Sequence, residues 1–244
     1  MREFFPRAGL EELVEIYALT DGIPFYITQV EIPLWEWLRE ELLNPVSFFR
    51  DEIDFLLRYE FTEIKTYKRI LEAIALGKTT PKEITDFTGM KHSNIIPYLR
   101  NLIEMDLVVR EVPVTEKPSS KRGHYYVADN FLAFWFCYVY PNLSRIEEGT
   151  FDVAEIQENY SHYLGWVFEK VTRRFLLKMN RDGKLPFRFT KIEKWWHKNE
   201  EINLVALNER EKKALFFEVK WKDSSNREAR GILRDLGKKR SLYD

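Results

Sequence analysis

Cysteine is nearly missing from this sequence: Cys137 is the one thiol in 244 residues, so no internal disulfide can staple the chain. Set among Phe134, Trp135, Phe136 and Tyr138, that thiol reads as a buried structural side chain. Long apolar runs are missing too. The longest, Phe131 to Tyr140, has ten residues, about half of what a helical bilayer span needs, and reads as a buried helix. The N-terminus, with Arg2 and Glu3, has no apolar signal core, so the expected location is the cytoplasm, with no membrane partner. No glycine-rich phosphate loop ending in Lys-Ser or Lys-Thr occurs, and ATP hydrolysis by this chain alone is not expected. His92, His124, His162 and His197 lack the spacing of a metal cluster.

What is present suits folded domains. Hydrophobic residues at 45% and aromatics at 15% supply cores, and the length exceeds what one modest core usually organises. The net charge of −1 hides an asymmetry: residues 1–61 carry 13 acidic against 5 basic side chains, residues 62–125 carry 8 against 11, and residues 126–244 carry 18 against 22. The later segments alone invite nucleic acid, and their excess is small enough for a solvated mixed-charge surface.

Leu10, Leu13, Val14 and Tyr17 recur on one helical face, and Asp21-Gly22-Ile23-Pro24 breaks the pattern. With Pro33 and Pro45 as punctuation, a small acidic helical region is expected over residues 1–61. A second part spans residues 62–148. Tyr67, Ile70, Leu71 and Ile74 form a helical stripe that stops at Gly77. Thr80 and Glu83 fit a capping box, with Pro81 at the first helical position and Gly89 at the end. A third helix turns Ile95, Leu99, Leu102 and Ile103 inward. Leu107, Val108 and Val109 begin a strand, Pro118 to Gly123 form a polar turn, and Tyr125, Tyr126 and Val127 return.

Helix, helix, helix, strand, basic turn, strand is the order of a winged helix-turn-helix, which lays one helix in the DNA major groove. Lys91, His92, Ser93 and Asn94 stand at the start of the third helix, where a positive dipole end suits phosphates and base edges, and Arg100 follows. Lys117, Lys121 and Arg122 put cations on the wing. Pro97 removes one hydrogen bond unless the helix starts late, and weakens the case for base reading. The same fold also serves protein contacts.

Residues 149–244 change character, to one long helix with Glu169, strands at 187–196, 202–207 and 214–221, and a basic helix over 227–239. On a strand Glu218 and Lys220 project together. Acid-x-Lys spacing also occurs at Glu63, Asp182 and Glu211, so the tripeptide alone says little. Glu218 differs in following the apolar run Ala214 to Phe217, where a carboxylate needs a partner or a metal. Glu169, Asn203, Glu218 and Lys220 therefore form the candidate catalytic set. Phosphodiester cleavage uses carboxylates to hold Mg²⁺ or Mn²⁺ and a lysine to orient or deprotonate water. A plain Glu218–Lys220 ion pair is the simpler alternative.

Four stretches carry a resemblance: Tyr17-Ala18-Leu19-Thr20-Asp21-Gly22-Ile23-Pro24; Val112-Pro113-Val114-Thr115; Arg122 to Phe131 with Phe134-Trp135-Phe136; and Glu201-Ile202-Asn203 with Glu218-Val219-Lys220-Trp221. Together they resemble the C-terminal part of an archaeal ATPase family, which joins a nucleotide-binding core, a helical lid, a winged helix and a PD-(D/E)xK nuclease-like domain. The resemblance implies a multidomain α and α/β fold. It would comprise a lid remnant (1–61), a winged helix-turn-helix with an aromatic helix (62–148) and a restriction-endonuclease-like α/β domain (149–244). It further implies a DNA partner and an ATPase core on another part or another chain, and is compatible with an oligomer. Asn203 stands where the family has a metal-binding Asp, so the implied metal set is Glu218 and Asn203, with Glu201 facing the same way as a compensating carboxylate. The function implied is DNA binding with weak or degenerate Mg²⁺-dependent deoxyribonuclease activity. The alternative is a noncatalytic regulatory or adaptor module for DNA or a partner ATPase; a transcription regulator comes third.

Overall fold

The structure, a computed structural model, describes residues 1–60, 62–198 and 200–240. Phe61 and residues 241–244, the ends of two of the expected domains, lie outside the described residues. The chain is a mixed α/β protein in which helices accompany two small antiparallel sheets. It divides into two compact units, residues 1–110 with 124–160, and residues 111–123 with 161–244.

The first unit opens with α1 (Leu10–Thr20), α2 (Pro24–Ile27), α3 (Leu34–Leu43) and α4 (Phe48–Glu60). Leu13, Ile16 and Leu19 form the buried stripe of α1. Asp21 ends that helix in the left-handed region at φ 50°, and Gly22 continues at φ 79°, which glycine alone adopts without strain. Then come α5 (Ile64–Ala75), α6 (Pro81–Thr88) and α7 (His92–Glu104). The capping box forms as expected: the Glu83 N–H donates to Thr80 Oγ1 and the Thr80 N–H donates to Glu83, with Pro81 in the first turn. Gly89 closes α6 at φ 73°. The helix α7 starts at His92 and carries Pro97 within it. Pro97 is exposed, so the carbonyl it leaves unbonded can turn to water.

Next, β1 (Val108–Glu111) and β2 (His124–Val127) form the two-stranded sheet. The apolar run folds as α8 (Asn130–Phe134), a π turn over Trp135–Val139, a 3-10 turn over Tyr140–Asn142 and the short α9 (Leu143–Glu147). Pro141 has no N–H to continue an α-helical ladder, which accounts for the irregular turns. Phe131, Phe134, Trp135 and Phe136 are buried, and Trp135 Nε1–H donates 2.8 Å to the Phe49 carbonyl. Cys137 is half-buried and not fully enclosed, and burial pushes its thiol up to about 11.

The second unit is built on α10 (Ala154–Arg181, from its Ser161 onward), the sheet β3 (Lys191–His197), β4 (Glu200–Asn208) and β5 (Lys213–Phe217), and α11 (Asn226–Arg240). The sheet order is β3-β4-β5, antiparallel throughout. Each face has its own core. Ile202, Val205, Leu207 and Trp195 pack with Leu236 of α11 and with Val114. Ile192, Leu204, Ala206 and Val219 pack with Leu176 of α10. Burying such aliphatic side chains contributes about 1.5–3 kcal/mol each.

Two details position the site. Glu193 pairs Val205 while Trp195 pairs Ile202, so β4 carries an extra residue, a bulge around Asn203 and Leu204. The bulge turns Asn203 toward the α10 side. Segment 111–123 lies along β3: the Val114 N–H donates 2.8 Å to the Lys194 carbonyl, and Lys191 Nζ donates 2.6 Å to the Val114 carbonyl. This covers an otherwise open sheet edge. Among the described residues no helix is long and apolar enough to cross a membrane.

Candidate functional site

Glu169 lies on the side of α10 that faces the sheet. Its Oε2 is 2.5 Å from Lys194 Nζ, and its Oε1 accepts 2.6 Å from Asn203 Nδ2. Burial raises the Glu169 pKa, opposed by Lys194 and by the Asn203 hydrogen bond. Asn203 Oδ1 in turn accepts 2.9 Å from the Val219 N–H. The amide is thus fixed in one orientation, donor to a carboxylate and acceptor from the backbone. Lys194 also lies 3.6 Å from Glu201 Oε1.

Glu218 and Lys220 were expected on a strand; ladder pairing instead ends at Leu204 with Phe217, and residues 218–220 run free of it. The bulge supplies the reason, because the side chain of Asn203 takes the backbone N–H of Val219. Val219 packs on the α10 face, so its neighbours Glu218 and Lys220 project toward α11. There Glu218 Oε1 is 2.8 Å from Lys220 Nζ and its Oε2 is 3.5 Å from Lys239 Nζ. Lys239 also donates 2.7 Å to the Glu201 carbonyl. The Glu218 side chain is 11% exposed, and it borders an open groove of about 680 Å³ that Lys220, Asp235, Leu236, Lys238 and Lys239 also line.

The expected set therefore separates into two pairs. Glu169 and Asn203 meet on the α10 face, Glu218 and Lys220 on the α11 face, and the Val219 N–H is the link between them. The residues present do not fit a divalent ion. Among the described residues no three His, Cys, Asp or Glu side chains gather to hold a metal. Glu169, Glu201 and Glu218, which a cation would use, already face Lys194, Lys220 and Lys239. Magnesium needs near-octahedral oxygen ligation, and ammonium groups occupy those directions.

In the first unit, Lys91, His92, Ser93, Asn94 and Arg100 are all exposed on α7, whose opposite side buries Ile95, Leu99 and Leu102. Ser93 and Asn94 share a 3.1 Å side-chain hydrogen bond. In segment 111–123, Lys117 and Lys121 are exposed. Arg122 is engaged internally: it pairs with Glu116 at 2.9 Å and donates to the Trp196 carbonyl. Sequence reasoning missed Lys194 and Lys239. Lys194 alternates with Ile192 on the face that meets α10, a signal that could have placed it. Lys239 sits in a basic helix where no spacing marks it out.

Comparison with known proteins gives a family context without a function. The family described as archaea bacterial proteins of unknown function (DUF234) matches residues 135–232. An uncharacterized protein of Methanocaldococcus jannaschii is 54% identical over 242 residues, covering 99% of this chain and 55% of that protein. The chain thus spans about half the length of that relative. No solved structure matches.

Proposed function

We propose that the chain is a DNA-binding module, the C-terminal portion of an archaeal-type ATPase, in which a winged helix-turn-helix precedes a restriction-endonuclease-like α/β unit with a degenerate centre. The exposed polar end of α7, backed by a buried apolar face and preceded by the capped helix α6, carries this reading. That end places Lys91, His92 and Ser93 at the first turn, with Arg100 exposed about two turns farther along, which suits a phosphate backbone. The nuclease-like reading is supported by the order α10, β3, β4, β5, α11 with Glu169, Asn203 and the Glu218-Val219-Lys220 tripeptide near one end of the sheet. The lysine-closed carboxylates favour binding over metal-dependent cleavage. The extra length of the archaeal relative leaves room for the nucleotide-binding core that the resemblance implies.

The test uses the full chain and a fluorescent duplex. Binding that weakens with salt, and a salt slope about one unit shallower for each of Lys91→Ala and Arg100→Ala, is the expected result. Unchanged binding in both variants would overturn the α7 assignment. Plasmid cleavage with Mg²⁺ or Mn²⁺ that disappears in Glu218→Ala would show that the centre is catalytic after all.

A further inference from the structure

The C-terminal helix α11 has a use that the candidate site does not absorb. Ala229, Ile232 and Leu236 form its inward side, with Leu236 in the core. Arg227, Arg230, Arg234 and Lys238 recur at intervals of three and four, and at ~100° per residue they fall within about 80° of one another, opposite that side. All four are exposed. The nearby acids are spent elsewhere. Glu228 accepts from the Ser225 N–H at 2.8 Å and from its hydroxyl at 2.9 Å, and pairs with Lys222 at 3.3 Å. Asp235 pairs with Lys238 at 2.9 Å. Among the described residues no ion pair engages Arg227, Arg230 or Arg234.

We infer that this face of α11 binds the phosphate backbone of duplex DNA, as a contact surface in addition to α7, and the inference rests on the DNA-binding reading above. Three guanidiniums in a row, with Asp235 as the acid that Arg234 acts on, repel one another in the unbound chain, and a polyanion relieves that repulsion. Their axial separations, about 4.5–6 Å at ~1.5 Å per residue, match long flexible side chains reaching phosphates that recur every ~3.4 Å along a strand. Arginine rather than lysine supplies a planar fork for bidentate phosphate contact. A solvated charged face would need neither the alignment nor the unpaired state.

The experiment compares the full chain with the triple variant R227Q/R230Q/R234Q and the conservative R227K/R230K/R234K, by fluorescence anisotropy on duplex DNA between 50 and 200 mM salt. Circular dichroism confirms that each remains folded. Three lost contacts make the log-log salt slope shallower by about 2.7, so the wild type should lose roughly 40-fold more affinity across that range than the glutamine variant. The lysine variant should keep most of the slope. An unchanged slope in a folded glutamine variant, with α7 variants still impaired, overturns the α11 contact and leaves the α7 reading standing. No binding by the wild type overturns both. Loss in the glutamine variant with α7 variants unaffected supports α11 and removes α7.

Discussion

Replacing Asn203 with Asp would put a carboxylate where an amide now donates 2.6 Å to Glu169. Two like charges near ~4 Å repel by about 4 kcal/mol at an effective dielectric of ~20. The pair can escape by holding one proton, which at pH 7 costs about 4 kcal/mol for a carboxyl of ordinary pKa near ~4. Burial already raises the Glu169 pKa, so that escape is easier here. We therefore expect Asn203→Asp to destabilise the second unit by roughly 2–4 kcal/mol at pH 7, a melting shift of about 10–20 °C. The sign with pH follows from the proton count. The folded pair holds a proton that the unfolded carboxyls release above pH ~4–4.5, so the deficit grows as pH rises and shrinks on acidification toward pH ~4.5. Calorimetry from pH 5 to 8, with and without millimolar Mn²⁺, reads all of this. A variant as stable as wild type at pH 8 without metal would refute the Glu169–Asn203 contact. Recovery on adding Mn²⁺ would show that one substitution separates this centre from a metal site, whereas no recovery would mean that the lysines keep it closed.

Ile202 is fully buried between the sheet and α11, and Ile202→Ala should lower stability by about 2–5 kcal/mol, measured by denaturant unfolding. Arg122→Ala breaks the Glu116 pair and the bond to the Trp196 carbonyl, so it should destabilise segment 111–123 by about 1 kcal/mol or less and leave the DNA salt slope unchanged. A shallower slope would instead make Arg122 a phosphate contact. Glu228 is held down to about 2 by the Ser225 backbone and hydroxyl and by Lys222, so its cap on α11 is complete above pH ~4.5 and is lost as pH falls through about 2. Glu228→Gln should abolish that acid-dependent loss of helical circular dichroism.

Local chemistry made the first unit readable. The Thr80–Glu83 box, Pro81 and the left-handed Gly89 are decided within a few residues, so the bounds of α6 follow from the sequence. The core of α7 is equally legible, since Ile95, Leu99 and Leu102 need only helical spacing. The candidate site resisted for a different reason. Alternation assigns faces correctly only while register is continuous, and the β4 bulge at Asn203 breaks it, sending Asn203 one way and Glu218 the other. No residue type announces a bulge. The role of segment 111–123 was hidden likewise, because Pro118 to Gly123 read as a turn tip from local composition, while its packing depends on the distant strand β3.

Charge balance joins these particulars. Glu169, Glu201 and Glu218 lie against Lys194, Lys220 and Lys239, with an amide at position 203. A carboxylate there would leave one negative charge in a half-buried setting, which a divalent cation over-compensates unless lysines withdraw. On the α10 face the amide and Lys194 are therefore one electrostatic solution around Glu169, and altering either alone is unfavourable. A phosphodiester approaching the groove needs no metal in this arrangement, because it can compete with Glu218 for Lys220 and Lys239. On that argument Glu218→Gln, which removes the carboxylate that pairs with both lysines, should tighten DNA binding and steepen its salt dependence, the reverse of what removing a metal ligand from a nuclease would do.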